Sequence, residues 1–135
     1  MSEPDQANEI CLLDDDVSVL NSMRFLLLAE GLQVRIFNNP EEFLAHASNN
    51  PVPVLVTDIW MDRVTGLEVL ARLCAISPET KVIVVTARED AAARATATAI
   101  GPVGFFIKPF NDEKFIGAVR DALTQSKKTR PANNI

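Results

Sequence analysis

Five short apolar segments alternate with five helical patterns along this chain of 135 residues. The clearest of the apolar segments, 54–57 and 81–86, consist mostly of valine, leucine and isoleucine. Such runs are typical of strands that are covered on both faces. Because strand and helix patterns alternate, the chain favours a parallel sheet with helices on both sides. We therefore predict an α/β fold.

The order of the strands follows from how such sheets are connected. The predicted strands are 9–13, 33–37, 54–57, 81–86 and 104–107. The second alternates polar and apolar residues, which indicates an edge strand with one wetter face. Right-handed crossovers leave few arrangements. We predict a flavodoxin-like (βα)5 doubly wound sheet of strand order 2-1-3-4-5, which gathers the ends of the other four strands together.

The segments between the strands carry apolar residues at helical spacing. Gly31 ends the first helix, and Asn39-Pro40 begins the second with a capping side chain and a proline. The segment 89–100 is rich in alanine and threonine, so its helix is expected to make few core contacts and to shift easily. The residues predicted to face the core are Leu20, Met23, Leu27, Phe43, Leu44, Ala47, Leu67, Leu70, Ala71, Cys74, Phe115, Val119 and Ala122.

Length and charge limit the class of protein. The length suits a single core, and we predict one domain over residues 8–125, followed by a tail or severed linker over 126–135. The net charge of −5 argues against direct contact of this domain with nucleic acid or anionic lipid. The chain has no apolar run near the roughly 20 residues of a membrane span, and its polar start is no signal peptide. A cytoplasmic protein is expected.

Cysteine and histidine are rare in this sequence. Cys11 and Cys74 lie in separate apolar segments, so we interpret both as small buried hydrophobic residues and expect neither metal binding nor redox pairing. His46 is the only histidine and lies in the second predicted helix. We expect it to be exposed and to act as neither a base nor a ligand.

Polar side chains end or closely follow four of the five predicted strands. They are Asp14, Asp15, Asp58, Thr86 and Lys108. Because the carboxyl ends of parallel strands share one crevice, we expect these side chains to converge. Crowded carboxylates repel one another, which favours a hard divalent cation such as Mg²⁺. An aspartate can also act as a nucleophile toward phosphorus, with a cation, an ammonium and a hydroxyl around the transferred oxygens.

Each of these residues alone has a simpler interpretation. The acidic run 14–16 on its own is most often a solvated turn, with Asp16 as a helix cap. A Lys-Pro pair after a strand is commonly a turn, and Thr86 could satisfy a local backbone group. The combination with Asp58 is what makes a site the stronger hypothesis.

Four dispersed motifs resemble those of the receiver domain of bacterial two-component response regulators, a CheY-like family. They are Leu13-Asp-Asp-Asp16, Thr57-Asp-Ile-Trp-Met61 with Gly66, Val85-Thr-Ala87 and Ile107-Lys-Pro-Phe110. The resemblance covers about residues 8 to 125, and four motifs in order are far more specific than one. It implies that Asp58 accepts a phosphoryl group from a partner histidine kinase. The domain would assist its own phosphorylation and dephosphorylation rather than act as an enzyme.

The same resemblance implies a set of ligands for Mg²⁺. Asp15, Asp58 and the backbone carbonyl of Trp60 would hold the ion, and Asp14 would act mostly through water. A site with two or three acids suits Mg²⁺ better than Ca²⁺, because Mg²⁺ keeps several waters and takes few carboxylates.

The resemblance also implies a switch. Thr86 and Lys108 would bind the phosphoryl oxygens, and the inward movement of Thr86 would let Phe105 rotate inward. The surface of the fourth helix, fifth strand and fifth helix would repack, and an output domain, a partner protein or a second copy would dock there. Taken alone, Phe105 is a core residue. The segment 36–44 is weakly similar to receivers that control transcription in nitrogen-fixation or nitrate-response systems.

Two departures from the family pattern lie near the site. Asp62 occupies a position where the family usually has proline, which loosens the loop and adds a negative charge. Trp60 and Arg88 lie two residues beyond Asp58 and Thr86, at positions that in this family tend to modulate how long the phosphoryl group survives. We hypothesise that the Trp60 ring shields the acyl phosphate from water. The ring is equally interpretable as cover for a hydrophobic loop.

Two other functions stay open. A metal-dependent phosphohydrolase with an aspartyl nucleophile would need a second acid and a substrate-covering cap, for which the chain has no room. A degenerate receiver would serve only as an interaction or dimerisation scaffold. The intact Asp58, Thr86 and Lys108 argue against the scaffold, whereas Asp62 weakens that argument.

Overall fold

The computed structural model describes residues 8–61, 65–87 and 90–129. Its strands are β1 (Glu9–Leu13), β2 (Gln33–Phe37), β3 (Val54–Thr57), β4 (Lys81–Thr86) and β5 (Gly104–Ile107). Its helices are α1 (Val17–Ala29), α2 (Pro40–Asn49), α3 (Gly66–Ile76), α4 (Ala91–Ile100) and α5 (Asp112–Thr129). Asp62, Arg88 and residues 130–135, which figure in the sequence predictions, lie outside the described residues.

The strands form one parallel sheet in the order β2-β1-β3-β4-β5, which confirms the predicted flavodoxin-like topology. Leu13 of β1 pairs with Thr57 of β3, and Thr86 of β4 pairs with Ile107 of β5. The carboxyl ends of β1, β3, β4 and β5 therefore meet at one edge of the sheet. β2 lies at an outer position, and none of its residues is fully buried.

The hydrophobic core lies on both faces of the sheet, because alternate strand residues point to opposite sides. Helices α1 and α5 cover one face, and α2, α3 and α4 cover the other. α4 buries only Ala93 and Ala97, in agreement with the few core contacts predicted for it. The inward-facing residues predicted for α1, α2 and α5 are confirmed, since Leu20, Met23, Leu27, Phe43, Leu44, Ala47, Phe115, Val119 and Ala122 are all buried.

The inward face predicted for α3 is wrong in part. Ala71 and Cys74 are exposed, so Cys74 is not the buried hydrophobic residue that its segment suggested. The backbone amide of Gly66 donates to the carbonyl of Ile59 at 2.7 Å. This contact holds the start of the helix against the preceding loop and so sets its rotation, which apolar spacing alone does not determine. The buried residues of α3 are Gly66, Val69, Leu70 and Leu73.

The exposure predicted for His46 is also wrong. Its ring is half-buried, and the ring centroid lies 5.2 Å from that of Phe37. The Nε2 atom of His46 is buried. The physical reason is that β2 and α2 pack together near this position, so this side chain lies between the helix and the edge of the sheet.

The last helix is longer than predicted. α5 continues to Thr129, so the first four residues of the predicted tail 126–135 are helical, and Ser126 is buried. None of the helices in the described part of the chain is long and apolar enough to cross a membrane.

Candidate functional site

Three charged side chains meet at the carboxyl ends of β1, β3 and β5. Nζ of Lys108 lies 3.0 Å from Oδ2 of Asp14 and 3.5 Å from Oδ2 of Asp58. Asp14 and Asp58 lie 94 and 50 positions from Lys108 in the sequence, so only the fold brings the three together. The crevice therefore contains three of the five polar residues that the sequence analysis singled out.

Asp14 is the most enclosed carboxylate of this group, with 1% of its surface exposed. Burial raises the pKa of Asp14 above its usual value, and the Asp58 carboxylate raises it further. The Asp16 amide, which donates to Asp14 at 2.9 Å, and the Lys108 ammonium lower the pKa, but they do not cancel the rise. Two carboxylates share the single ammonium of Lys108 in this crevice, so an added cation would be stabilised there.

Asp58 begins the loop that follows β3 and is 8% exposed. Its Oδ1 accepts a hydrogen bond from the Trp60 amide at 3.1 Å, and its Oδ2 faces Lys108. Its own amide donates to the Leu13 carbonyl at 3.2 Å. Contacts from three parts of the chain therefore position this carboxylate, as a reacting group requires.

Gly66 lies directly against the backbone of the Asp58 loop. A Cβ at Gly66 would overlap the Asp58 carbonyl oxygen and would lie 2.7 Å from Cα of Ile59. Only glycine allows two backbone segments to approach this closely. Gly66 therefore lets α3 begin against the loop that carries the Asp58 carboxylate.

Thr86 and Lys108 are joined through the backbone at the ends of β4 and β5. The Lys108 amide donates to the Thr86 carbonyl at 2.7 Å, and the peptide bond between Lys108 and Pro109 is cis. Thr86 is fully buried. Thr57, which precedes Asp58, pairs with Val84 of β4, so Thr86 lies at the same edge of the sheet as Asp58.

The three acidic residues after β1 have different surroundings. Asp16 caps α1, because its Oδ1 accepts hydrogen bonds from the amides of Ser18 at 2.9 Å and Val19 at 3.3 Å. The cap interpretation is therefore confirmed for Asp16. Asp14 is buried and Asp15 is exposed, which leaves these two as the acids after β1 that could contribute oxygen ligands.

An arginine that the sequence analysis missed covers Phe105. Phe105 is half-buried, and Cζ of Arg94 lies 4.6 Å from the centroid of its ring. Such a cation–π contact contributes on the order of 0.5–1 kcal/mol at an exposed site. The only signal in the sequence was that Arg94 is the single charged residue of α4. Trp60 is also half-buried and packs, like Phe105, on the apolar group that includes Ile59 and Ala97.

The donor set of the crevice fits a hard divalent cation. Asp14 and Asp58 supply carboxylate oxygens beside a single ammonium, and Asp15, which is exposed and follows Asp14, adds a third acid. Mg²⁺ prefers oxygen ligands, takes one or two carboxylates and keeps part of its water shell. These side chains could therefore hold Mg²⁺ and leave coordination positions for phosphate oxygens.

Known proteins resemble this chain over most of its length. The family described as response regulator receiver domain matches residues 10–120. The transcriptional regulatory protein FixJ of Azorhizobium caulinodans is 36% identical over 115 residues, which cover 85% of this chain and 54% of FixJ. The response regulator protein TodT of Pseudomonas putida is 32% identical over 126 residues, which cover 93% of this chain and 56% of TodT. The chain thus spans about half the length of these relatives.

A solved structure has the same fold. The CheY-like response regulator receiver domain protein of Methanospirillum hungatei superposes with a TM-score of 0.85 at 25% identity. The superposition covers 91% of this chain and 98% of that protein.

Proposed function

Because this chain belongs to the family of response regulator receiver domains, we propose that Asp58 accepts a phosphoryl group from a histidine kinase in a reaction that depends on Mg²⁺. The phosphorylated domain then changes the surface formed by α4, β5 and α5 and so controls an output. The domain is a regulatory phosphoacceptor, which assists its own phosphorylation and dephosphorylation but does not turn over external substrates.

The position of Lys108 is the observation that carries this proposal. Its ammonium lies within 3.5 Å of Asp58 and 3.0 Å of Asp14, so a phosphoryl group on Asp58 would form within reach of a positive charge. Phosphoryl transfer needs mainly positioning and positive charge around the transferred oxygens. A solvated turn would not require the lysine that follows β5 to reach the carboxylate that follows β3.

The proposed transfer to Asp58 breaks one bond to phosphorus and forms one. The P–N bond of a phosphohistidine on the kinase breaks, a P–O bond to an Asp58 oxygen forms, and the imidazole leaves with the electron pair of the broken bond. Lys108 exchanges its contact with Asp58 for a phosphoryl oxygen. The hydroxyl of Thr86 donates a hydrogen bond to another phosphoryl oxygen, which requires a movement of the Thr86 side chain.

Receiver domains generally use Mg²⁺, and the crevice acids are its proposed ligands here. Asp15, Asp58 and the Trp60 carbonyl would hold the ion, with Asp14 acting mostly through water. When bound, Mg²⁺ would neutralise negative charge on the phosphoryl oxygens. The two carboxylates that face a single ammonium in the crevice support this assignment, because an added cation offsets the repulsion between them.

The surface of α4, β5 and α5 is the proposed site of output. α4 is anchored by only two buried alanines, and Phe105 of β5 is half-buried beneath Arg94. Both features support a surface that can rearrange at small energetic cost. We propose that an output domain, a partner protein or a second copy of the chain docks here. The relatives FixJ and TodT favour control of transcription as the output, without direct contact of this domain with nucleic acid.

The test is direct phosphorylation of the full chain with acetyl phosphate, followed by intact mass measurement. We expect one phosphoryl group per chain with Mg²⁺, none after chelation of Mg²⁺, and none in Asp58→Asn. Asp121→Asn removes an exposed acid of α5 and is expected to behave like the wild type. Hydroxylamine would release the group, because an acyl phosphate is a mixed anhydride: the amine attacks the acyl carbon, a hydroxamate forms and inorganic phosphate leaves.

Two outcomes would favour the alternatives. Sustained release of phosphate from a phosphomonoester, lost in Asp58→Asn, would indicate a phosphohydrolase. A folded protein with no Asp58-dependent modification, and no change of Trp60 fluorescence on adding Mg²⁺ and beryllofluoride, would indicate a scaffold.

A further inference from the structure

A second group of ligating side chains lies between β1 and α2. Glu9 and Cys11 are two residues apart on β1 and so face the same side of the sheet, where His46 approaches from α2. A carboxylate oxygen of Glu9, Sγ of Cys11 and a ring nitrogen of His46 all lie within 4.8 Å of one another. Glu9 is 4% exposed and Cys11 is 1% exposed. Three different ligand types thus meet in a space that is almost closed to solvent.

The imidazole of His46 has a nitrogen that the protein does not satisfy. Nδ1 lies 3.3 Å from the side-chain amide nitrogen of Asn50. Nε2 is buried and has no hydrogen-bond partner among the residues that the structure describes. A buried polar atom without a partner is costly. Burial, assisted by the Arg35 charge, lowers the pKa of His46, which favours the neutral form that binds metals.

We propose that Glu9, Cys11 and His46 form a binding site for a divalent cation of the zinc class. Thiolate, imidazole and carboxylate are the three ligand types that Zn²⁺ takes in proteins, and three protein ligands leave a fourth position for water. Zn–S and Zn–N bonds are about 2.3 and 2.0–2.1 Å long. The ligand atoms must therefore approach one another by about 1 Å, which side-chain rotation can supply.

The guanidinium of Arg35 would compete with a bound cation for the Glu9 carboxylate. Its Nε donates to Oε1 of Glu9 at 2.8 Å, and 41% of the Arg35 side chain is exposed. The guanidinium can therefore turn into solvent when a cation takes the Glu9 carboxylate. Without a metal, the Arg35 charge is what compensates this buried acid.

Binding of the cation moves protons but no electrons. Burial raises the pKa of Cys11 to about 12, so the thiol must lose its proton to solvent as the metal–sulfur bond forms, and this cost weakens binding at neutral pH. If Nε2 of His46 is the ligand, the imidazole proton resides on Nδ1, and the Asn50 side chain turns its oxygen toward it. No oxidant or reductant is required.

The cation would tie α2 to β1 at a place distinct from the crevice of Asp58. Glu9 begins β1, whereas the acids of the crevice follow its last residue. The two sites can therefore be occupied together, and the zinc-class site does not depend on the phosphoacceptor role proposed above.

The test uses Co²⁺ and Zn²⁺ on the full chain under reducing conditions, with excess Mg²⁺ to occupy the acidic crevice. Co²⁺ bound to a thiolate has an ultraviolet charge-transfer band, which an all-oxygen site cannot produce. We expect this band to saturate at one Co²⁺ per chain and to disappear when Zn²⁺ displaces the cobalt. Absence of the band in the folded wild type would overturn the proposal.

Single substitutions test which side chains bind the metal ion. Cys11→Ala is expected to abolish the band, whereas Cys74→Ala, which changes an exposed cysteine, is expected to retain it. A band that persists in Cys11→Ala would overturn the proposal. If Cys11→Ala does not fold, His46→Gln on α2 still tests the site through its imidazole ligand, and we expect it to weaken Co²⁺ binding about tenfold or more. An unchanged affinity in His46→Gln would exclude the imidazole as a ligand and overturn the site.

Arg35→Gln is expected to change the metal affinity in the opposite direction. Because it removes the cation that competes for Glu9, it is expected to strengthen Zn²⁺ binding about tenfold. An equal or lower affinity would contradict the assignment of Glu9 as a ligand. A merely structural role for Arg35 would not increase metal affinity.

Discussion

Nζ of Lys108 lies 3.0 Å from Oδ2 of Asp14, although the two residues are 94 positions apart. Asp14 is almost fully buried, and 18% of the Lys108 side chain is exposed. The pair joins the end of β5 to the end of β1 and holds the ammonium within 3.5 Å of Asp58. The chemistry proposed for Asp58 depends on this arrangement.

Asp14→Asn is expected to stabilise the magnesium-free protein at neutral pH. Since the folded-state pKa of Asp14 is raised, its contribution to stability is fully present below its unfolded pKa and is lost as pH rises through its folded pKa. Asparagine has no such loss. The stability advantage of the variant is therefore expected to grow as pH rises from about 4, and to level off above the folded pKa. Urea denaturation at stepped pH in EDTA measures it.

The control for this pH dependence is Asp121→Asn, because Asp121 is exposed on α5. Its stability is expected to follow that of the wild type at every pH. Adding Mg²⁺ is expected to favour the wild type over Asp14→Asn, since a ligand that binds only the folded state stabilises it. If the stability of the wild type increased relative to that of Asp14→Asn as pH rises in EDTA, the electrostatic account of the crevice would be contradicted.

Gly66→Ala is expected to destabilise the fold by about 1–3 kcal/mol, because the new Cβ overlaps the Asp58 carbonyl. It is also expected to slow phosphorylation by acetyl phosphate, since the loop that carries Asp58 must move. The matched control is Gly117→Ala in α5, where a Cβ meets nothing within 4 Å. Alanine is the better helix former, so the control is expected to gain about 0.5–1 kcal/mol. Chemical denaturation of both variants measures the change in the free energy of unfolding, which is expected to have opposite signs in the two. Equal changes would refute the role of Gly66.

Arg94→Met is expected to ease activation, because Arg94 covers Phe105 in its half-buried position. Loss of a cation–π contact of about 0.5–1 kcal/mol would raise the affinity for beryllofluoride about two- to fivefold. Trp60 fluorescence at saturating Mg²⁺ provides the measurement. Arg72→Met is the control, because Arg72 pairs with Glu41 on an exposed surface. A reduced affinity in Arg94→Met alone would show that Arg94 supports the active state instead.

Trp60→Asn is expected to shorten the lifetime of the phosphoryl group. If the half-buried ring shields the acyl phosphate from water, its removal exposes the phosphorus, and the decay rate rises about twofold or more, equivalent to about 0.4 kcal/mol of barrier. Trp60→Phe keeps an aromatic ring and is expected to decay at nearly the wild-type rate. Mass measurement over time follows the decay without the indole fluorophore. An unchanged or slower decay in Trp60→Asn would reject the shielding hypothesis.

The sequence was sufficient to predict the fold and the meeting of Asp14, Asp58 and Lys108. The reason is geometrical, since each charged residue directly follows an apolar strand and parallel strands end at a common edge. The buried face of a helix was also predictable where apolar residues recur at regular helical spacing, as for Leu20 and Leu27 in α1.

Features set by contacts between distant segments were not predictable. The rotation of α3 depends on the close approach of Gly66 to the Asp58 loop, so the exposure of Cys74 could not follow from spacing. The burial of His46 depends on how α2 packs beside β2. The contact of Arg94 with Phe105 joins α4 to β5, and neither residue has a pattern in the sequence that indicates the other.

The most direct test of the central claim is to locate the phosphoryl group itself. After reaction with acetyl phosphate and Mg²⁺, borohydride reduces an aspartyl phosphate to homoserine, which fragment mass spectrometry assigns to one residue. The account predicts homoserine at position 58, in an amount that falls sharply in Lys108→Ala and vanishes without Mg²⁺. Homoserine at another acid, or none in a protein that is folded and magnesium-loaded, would contradict it.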